Sequence, residues 1–199
     1  MNREKYSMSF TVAALLRQES LNLAELYLKQ GDWAEVRSEV LVHNLLQARA
    51  ENSAKRTCTE IISRLQQLSH NEIDLLVVGS QQEQGYLLWL AVCRRYRFIY
   101  EFSDEVIRER FFTLKYDLSY GDYDVFFHAK MVWHGELEKL TKTTKNKLRQ
   151  VVFKMLREAD LLTLDNQLIP AILSARLINI IGHHSPRDLY IFPVINTTL

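Results

Sequence analysis

The sequence predicts a mostly α-helical fold: a helical bundle with helix-turn-helix-like elements and a C-terminal winged-helix-like part carrying a short β-hairpin. Three observations predict it. Glycine and proline are scarce, six and three in 199 residues, so little interrupts a helical period. Apolar residues recur at helical spacing along most of the chain. Finally, residues 141–170, TKTTKNKLRQVVFKMLREADLLTLDNQLIP, read as a basic helix followed at once by a hairpin, the order found in winged helices.

Thr11 to Gln30 carries Leu15, Leu16, Leu23, Leu26 and Tyr27, as one long helix or two broken near Glu19-Ser20, and Gly31 closes it. Asp32 with Glu35 resembles a capping box for a helix bearing Val36, Val40, Leu41 and Leu45 that runs to about Ala50. Glu51-Asn52-Ser53 reads as a turn with an N-cap serine, opening a helix with Cys58, Ile61, Ile62, Leu65 and Leu68. Residues 33–68 are therefore a second candidate helix-turn-helix. Ser69 and Glu72 form another capping box, for a short helix ending near Gly79. Gln81 to Tyr100, apolar at Leu87, Leu88, Leu90, Ala91 and Val92, belongs at the centre of the core. Its end, Arg94-Arg95-Tyr96-Arg97, either lies along a phosphate backbone or complements the negative pole of the helix. Ser103 caps a helix with Val106, Ile107, Phe111 and Leu114, and Asp122 caps one with Phe126, Ala129, Trp133, Leu137 and Leu140. Past the hairpin, Ala171 to Ile181 is helical, Gly182 to Pro186 breaks it, and Asp188 to Ile195 is extended. A soft boundary separates an N-terminal helical domain, 1–120, from the winged-helix-like part, 121–199.

Charge singles out one stretch. Lys and Arg total 25 against 24 Asp and Glu, which excludes a wholly basic binder and requires any nucleic-acid site to be a local patch. Six of those cations and none of the acids fall between Lys142 and Arg157. There Leu148, Val151, Val152, Met155, Leu156 and Ala159 make one apolar face, and Thr143 offers an N-cap hydroxyl. Leu161 to Leu164, an Asp165-Asn166 turn and Gln167 to Ile169 supply the hairpin. Lys142, Lys145, Lys147 and Arg149 are expected to neutralise phosphates, while Thr143, Thr144 and Asn146 hydrogen-bond phosphate or base edges. Ser53, Lys55 and Arg56 make a second patch at a helix start, where a phosphate offsets the cost of cations against the dipole. A solvated amphipathic surface is the bland alternative for both.

Other chemistry is not legible. The chain has no Gly-rich phosphate loop, HExxH, CxxC or nucleophile elbow, so no catalytic residue and no cofactor is expected. Asp122, Asp124, His134 and Glu136 read as caps and solvated faces before they read as a metal site. Cys58 and Cys93 sit in apolar helical patterns and are expected to be reduced core thiols. The apolar part of the N-terminus is too short for a signal peptide or span, so the chain is expected in the cytoplasm, with no membrane contact.

Long stretches carry a family resemblance: YSMSFTVAALLRQES, NLLQARAENSAKR, LLWLAVCRRYRFIYEFSDEV, DYDVFFHAK, TKTTKNKLRQVVFKMLREADLL and a final FPV. Through them the chain resembles the BrxA family, small components of bacteriophage exclusion (BREX) defence systems. The resemblance implies a cytoplasmic bacterial protein acting in phage defence beside a site-specific DNA methyltransferase and other large partners. It also implies double-stranded DNA binding and a mostly helical fold comparable with the RNA-binding antitermination protein NusB, and it supplies no catalytic residues. Asp160 departs from it, because glycine is expected in REAGLL; aspartate still tolerates the left-handed turn there. Three functions follow as expectations: a non-enzymatic double-stranded DNA-binding subunit, a protein-interaction adaptor within the BREX complex, or RNA binding in the manner of NusB.

Overall fold

A computed structural model describes residues 5–194, and among these it contains eleven α-helices and no β-strand. Helices α1 (Arg17–Gln30), α2 (Trp33–Val42), α3 (Glu51–Leu65) and α4 (His70–Val78) precede α5 (Gln81–Arg95). Every residue of α5 from Gly85 to Cys93 is buried, and α1, α3, α4 and α10 all pack on this helix. That follows from the unbroken apolar run, since a helix apolar all round must be enclosed. Next, α6 (Arg97–Phe102) passes through a π-helical turn (Ser103–Ile107) into α7 (Arg108–Phe112). Then follow α8 (Tyr120–Met131), α9 (Gly135–Glu138), α10 (Lys142–Glu158), α11 (Ala175–His184) and a 3-10 turn, Pro186–Ile191.

One hydrophobic core runs across residue 120. Phe98 is its node, with ring centroids 5.1 Å from Phe126, 5.6 Å from Phe127 and 5.9 Å from Tyr123. Cys58 and Cys93 are both buried free thiols within this core. Helix starts follow side-chain chemistry. The capping box expected at Ser69 and Glu72 is formed, and boxes also join Ser80 to Glu83 and Ser119 to Asp122, so Asp122 is the third residue of α8 and Ser119 its cap.

Among the described residues before α1 there is no α-helix. Residues 5–16, with a 3-10 turn at Phe10–Val12, form a strap beside α10. The Tyr6 amide donates to Glu136 in α9 at 2.8 Å, and the Leu15 amide to Glu158 at the far end of α10 at 2.7 Å. Buried Arg64 of α3 donates to the carbonyls of Ala14 and Ala13, at 2.5 and 3.2 Å. The strap is thus clamped between α3 and α10.

Several expectations are corrected. The β-hairpin after the basic helix does not form strands, and the winged-helix detail is not supported. Only isolated antiparallel bridges occur, Leu162 with Leu168 and Asp117 with Gln167. The runs are too short for a ladder. Thr163 closes the turn by accepting the Gln167 amide on its hydroxyl at 2.9 Å, with Asn166 left-handed at φ 61°. Both Leu161 and Leu162 are buried, which the alternation of a two-faced strand would forbid.

In 33–68, α2 stops at Val42, eight residues before α3, well beyond the three or four of a helix-turn-helix turn. The Asn44 side chain closes that loop by bonding the Ala48 amide and carbonyl. Ser53 is the third residue of α3, whose N-cap is Ala50. Ser103 is no cap; fully buried inside a continuous helical run, its hydroxyl donates to the Ile99 carbonyl at 2.9 Å. The tail from Asp188 is helical to Ile191 rather than extended, and Ile195 lies outside the described residues.

Candidate nucleic-acid interface

Helix α10 is built as an amphipathic element of 17 residues. Leu148, Val152, Phe153, Met155 and Leu156 are buried, and Val151 is half-buried. Its N-cap is Thr141, not Thr143: the Thr141 hydroxyl accepts the Thr144 amide at 3.2 Å. Asp160 ends the helix in left-handed geometry at φ 57°, the role that glycine would take.

The six cations of α10 divide by flank. Toward α8, the Lys145 ammonium lies 5.5 Å from the Phe127 ring centroid and 3.7 Å from Met131 Sδ. Arg149, on the same side, pairs with Asp124 and stacks 4.7 Å from the Tyr120 ring. Toward the strap, Lys147, Val151, Lys154 and Glu158 recur at i, i+4, i+7 and i+11. Lys154 approaches Glu158 at 3.7 Å, a weak exposed pair. Arg157 is turned onto Asn166 Oδ1 at 2.6 Å. Lys142, Thr143, Asn146 and Lys147 are exposed, while Thr144 and Lys145 are half-buried. Among the described residues Lys142 and Lys147 make no ion pair.

The structure therefore gathers Lys142, Thr143, Thr144, Lys145, Asn146, Lys147 and Arg149 on the first turns of one helix. Arg149 is the member whose charge is already engaged.

The second patch is on α3, where Ser53, Lys55 and Arg56 are exposed. They lie beyond the bare helix start expected to attract phosphate. Lys55 pairs with Glu51 at 2.5 Å. Two hydroxyls that sequence reasoning missed, Ser9 and Thr11, line a cleft of about 430 Å³ with Lys55, Arg56 and Thr59. No local signal could have found them, because the strap meets α3 only in the fold.

Other singled-out residues have different work. Arg94 is half-buried between the buried carboxylates of Glu72 and Asp188, at 2.7 Å from each. Burial opposes its charge, yet the hydrogen bonds it donates to Glu72 and Asp188 outweigh that and raise its pKa. It is a core ion pair and offers nothing to a phosphate. Asp122 pairs with Arg110, and His134 meets Glu136 at 3.1 Å, so these residues and Asp124 are spent on separate partners. A wider cleft, about 770 Å³, lies between Tyr6, Glu101, Lys130 and His134. Its charges are matched internally, with Lys130 at 2.5 Å from Glu101 and 2.6 Å from Glu105.

These features define a mostly helical protein that presents one exposed cationic helix. Among the described residues no helix is long and apolar enough to cross a membrane. The BrxA family model matches residues 4–185, and the chain belongs to that family. The "BREX protein BrxA" of Escherichia coli O9:H4 (strain HS) is 28% identical over 145 residues, 73% of this chain and 68% of that protein. The "BREX protein BrxA" of Bacillus cereus (strain H3081.97) is 25% identical over 125 residues, 63% of this chain and 62% of that one, so the match spans less than two thirds of its length. A crystal structure of an uncharacterized protein from Magnetospirillum magneticum, 20% identical, superposes with a TM-score of 0.79 over 97% of this chain and 100% of that chain. At that identity the likeness shows the fold.

Proposed function

We propose that this chain is a cytoplasmic, non-enzymatic, double-stranded DNA-binding subunit of a BREX phage-defence system, acting with the DNA methyltransferase and other BREX proteins. One observation carries the reading: the first two turns of α10 present Lys142, Thr143, Asn146 and Lys147 to solvent, in a stretch with no acidic residue from 142 to 157. Cations held on a rigid helix displace condensed counterions from a duplex, and the released ions drive binding. If Lys142, Lys145, Lys147, Lys55 and Arg56 each neutralise one phosphate, log K falls against log salt with a slope of roughly −4 to −5.

The test is fluorescence anisotropy of a random-sequence duplex over a salt series, with the Lys142→Glu, Lys147→Glu protein alongside. Both side chains are exposed, so their exchange leaves the core intact. The expected result is salt-dependent binding that this variant loses; salt-insensitive binding, or binding unchanged in the variant, overturns the reading. Structured RNA added as competitor at equal salt separates duplex DNA from the NusB-like alternative, because A-form RNA hides its major groove from a helix.

A second reading, an adaptor that docks on other BREX proteins, is favoured by exposed apolar groups on and just past α8: Val125 and Val132 are each 72% exposed. Loss of phage defence in Val125→Glu, Val132→Glu, with duplex binding unchanged, would support it.

A further inference from the structure

The two cationic patches are separate on paper but adjoin the same strap. Val12 lines the cleft that holds Lys55 and Arg56, and it also lines a second cleft whose other wall is Lys154, Arg157 and Glu158 of α10. Val12 therefore stands between the cations of α3 and those of α10. Lys147 lies on the same stripe of α10 as Lys154, two turns nearer its start. The strap itself contributes hydroxyls: Ser9 is exposed, its Oγ 3.2 Å from that of Ser7, and Thr11 is half-buried in the cleft beside Lys55.

Several of the acids near the strap are engaged, while Glu19 and Asp160 line the α10 cleft beside Arg17, Lys154 and Arg157. Glu60 is buried and taken by Arg64 at 2.7 Å and by the Tyr96 hydroxyl at 2.5 Å. Glu158 accepts the Leu15 amide at 2.7 Å. Glu51 holds Lys55 only through an exposed pair, which phosphate can displace at small cost. Arg37 extends the cationic wall, donating to the Thr59 hydroxyl at 2.5 Å.

Resting on the DNA reading above, we infer that the strap joins the two patches into one continuous phosphate-binding surface, running from Lys147 and Lys154 across Ser9 and Thr11 to Lys55 and Arg56. The strap hydroxyls donate to backbone phosphate oxygens while the flanking cations neutralise them. The clamps of Arg64 and Glu158 hold the two cationic walls at a fixed separation, so a duplex that meets one wall is presented to the other.

The native cysteines make a direct test available. Cys58 and Cys93 are fully buried, so in Ser9→Cys the new thiol is the one exposed to a maleimide among the described residues. The full-length variant is alkylated at low salt with and without saturating random-sequence duplex, while anisotropy reports binding in the same tube. Duplex is expected to slow alkylation at position 9 by about tenfold, with protection fading as salt rises and lost in Lys55→Glu, Arg56→Glu. Asn71→Cys, on the exposed side of α4, serves as a control whose rate stays unchanged. Thr11→Cys repeats the measurement should Ser9→Cys disturb the strap. Duplex bound with position 9 fully reactive overturns the strap's part alone. No binding by the unmodified protein at low salt overturns this inference together with the reading beneath it.

Discussion

At the scale of single residues, buried charges decide more than exposed ones. Arg94 neutralises Glu72 and Asp188 where water is excluded, so removing it leaves two carboxylates stranded. Arg94→Met is expected to cost about 3–5 kcal/mol, read as a lower urea midpoint. Glu83 is the second case. The Arg176 guanidinium holds its carboxyl well below the usual carboxylate range against the opposing effect of burial, with Ser174 and Ser80 adding further hydrogen bonds. A carboxylate whose pKa is depressed on folding contributes stability that is present above its unfolded pKa, about 4.3 for glutamate, and lost as pH falls through the folded value. Arg176→Gln should therefore destabilise the protein at pH 7, and the gap from the unmodified protein should narrow as pH is lowered below 4. Urea unfolding at pH 7 and pH 3 checks this, and a gap that widens in acid contradicts it. Neither arginine's partner was legible from spacing, because Arg94 meets Asp188 and Arg176 meets Glu83 across about ninety residues of chain.

Elements were easier to read, since their information is local. The Ser69 and Glu72 box, the central position of α5 and the apolar face of α10 all follow from spacing within a turn or two. Where two local patterns compete, the period does not arbitrate. Short apolar runs on either side of Asp165-Asn166 suit a hairpin, yet burial of adjacent Leu161 and Leu162 settles them as a bridged loop. Caps show the same ambiguity. Thr141, Thr143 and Thr144 are each plausible by residue type, and the structure selects Thr141. Thr141→Ala is accordingly expected to cost about 1 kcal/mol, whereas Thr143→Ala, at an exposed position without a capping bond, should lie within about 0.5 kcal/mol of the unmodified protein. Equal effects would contradict the assigned cap.

For the whole molecule, the candidate surface was half legible. The absence of acids from Lys142 to Arg157 marked the cations of α10, but not which of them are free. Arg149 finds Asp124 from a different helix, 25 residues away, and Lys145 is drawn over Phe127. That sorting belongs to packing, which has no one-dimensional signature. The same packing ties the two halves of the chain together through Phe98. Phe98→Ala, which empties the junction of α6 and α8, is expected to cost about 3–5 kcal/mol; a single cooperative unfolding transition with a lowered midpoint is the expected readout, and an unchanged midpoint contradicts it.

The strap carries one more consequence, for biosynthesis. Leu15 bonds Glu158, 143 residues later, and Tyr6 bonds Glu136, 130 residues later. During translation the strap thus leaves the ribosome well before the residues that hold it in α9 and α10. Its bonds to Glu136 and Glu158 must wait until α9 and α10 have been made, because a contact so distant in sequence closes late, although Arg64 of α3 can engage Ala13 and Ala14 earlier. Helices α1 to α5 can associate meanwhile, and the contacts of the strap with α9 and α10 close afterwards. A chain stalled before α10 would lack the bond from the Leu15 amide to Glu158, though Phe10 could already meet Tyr96.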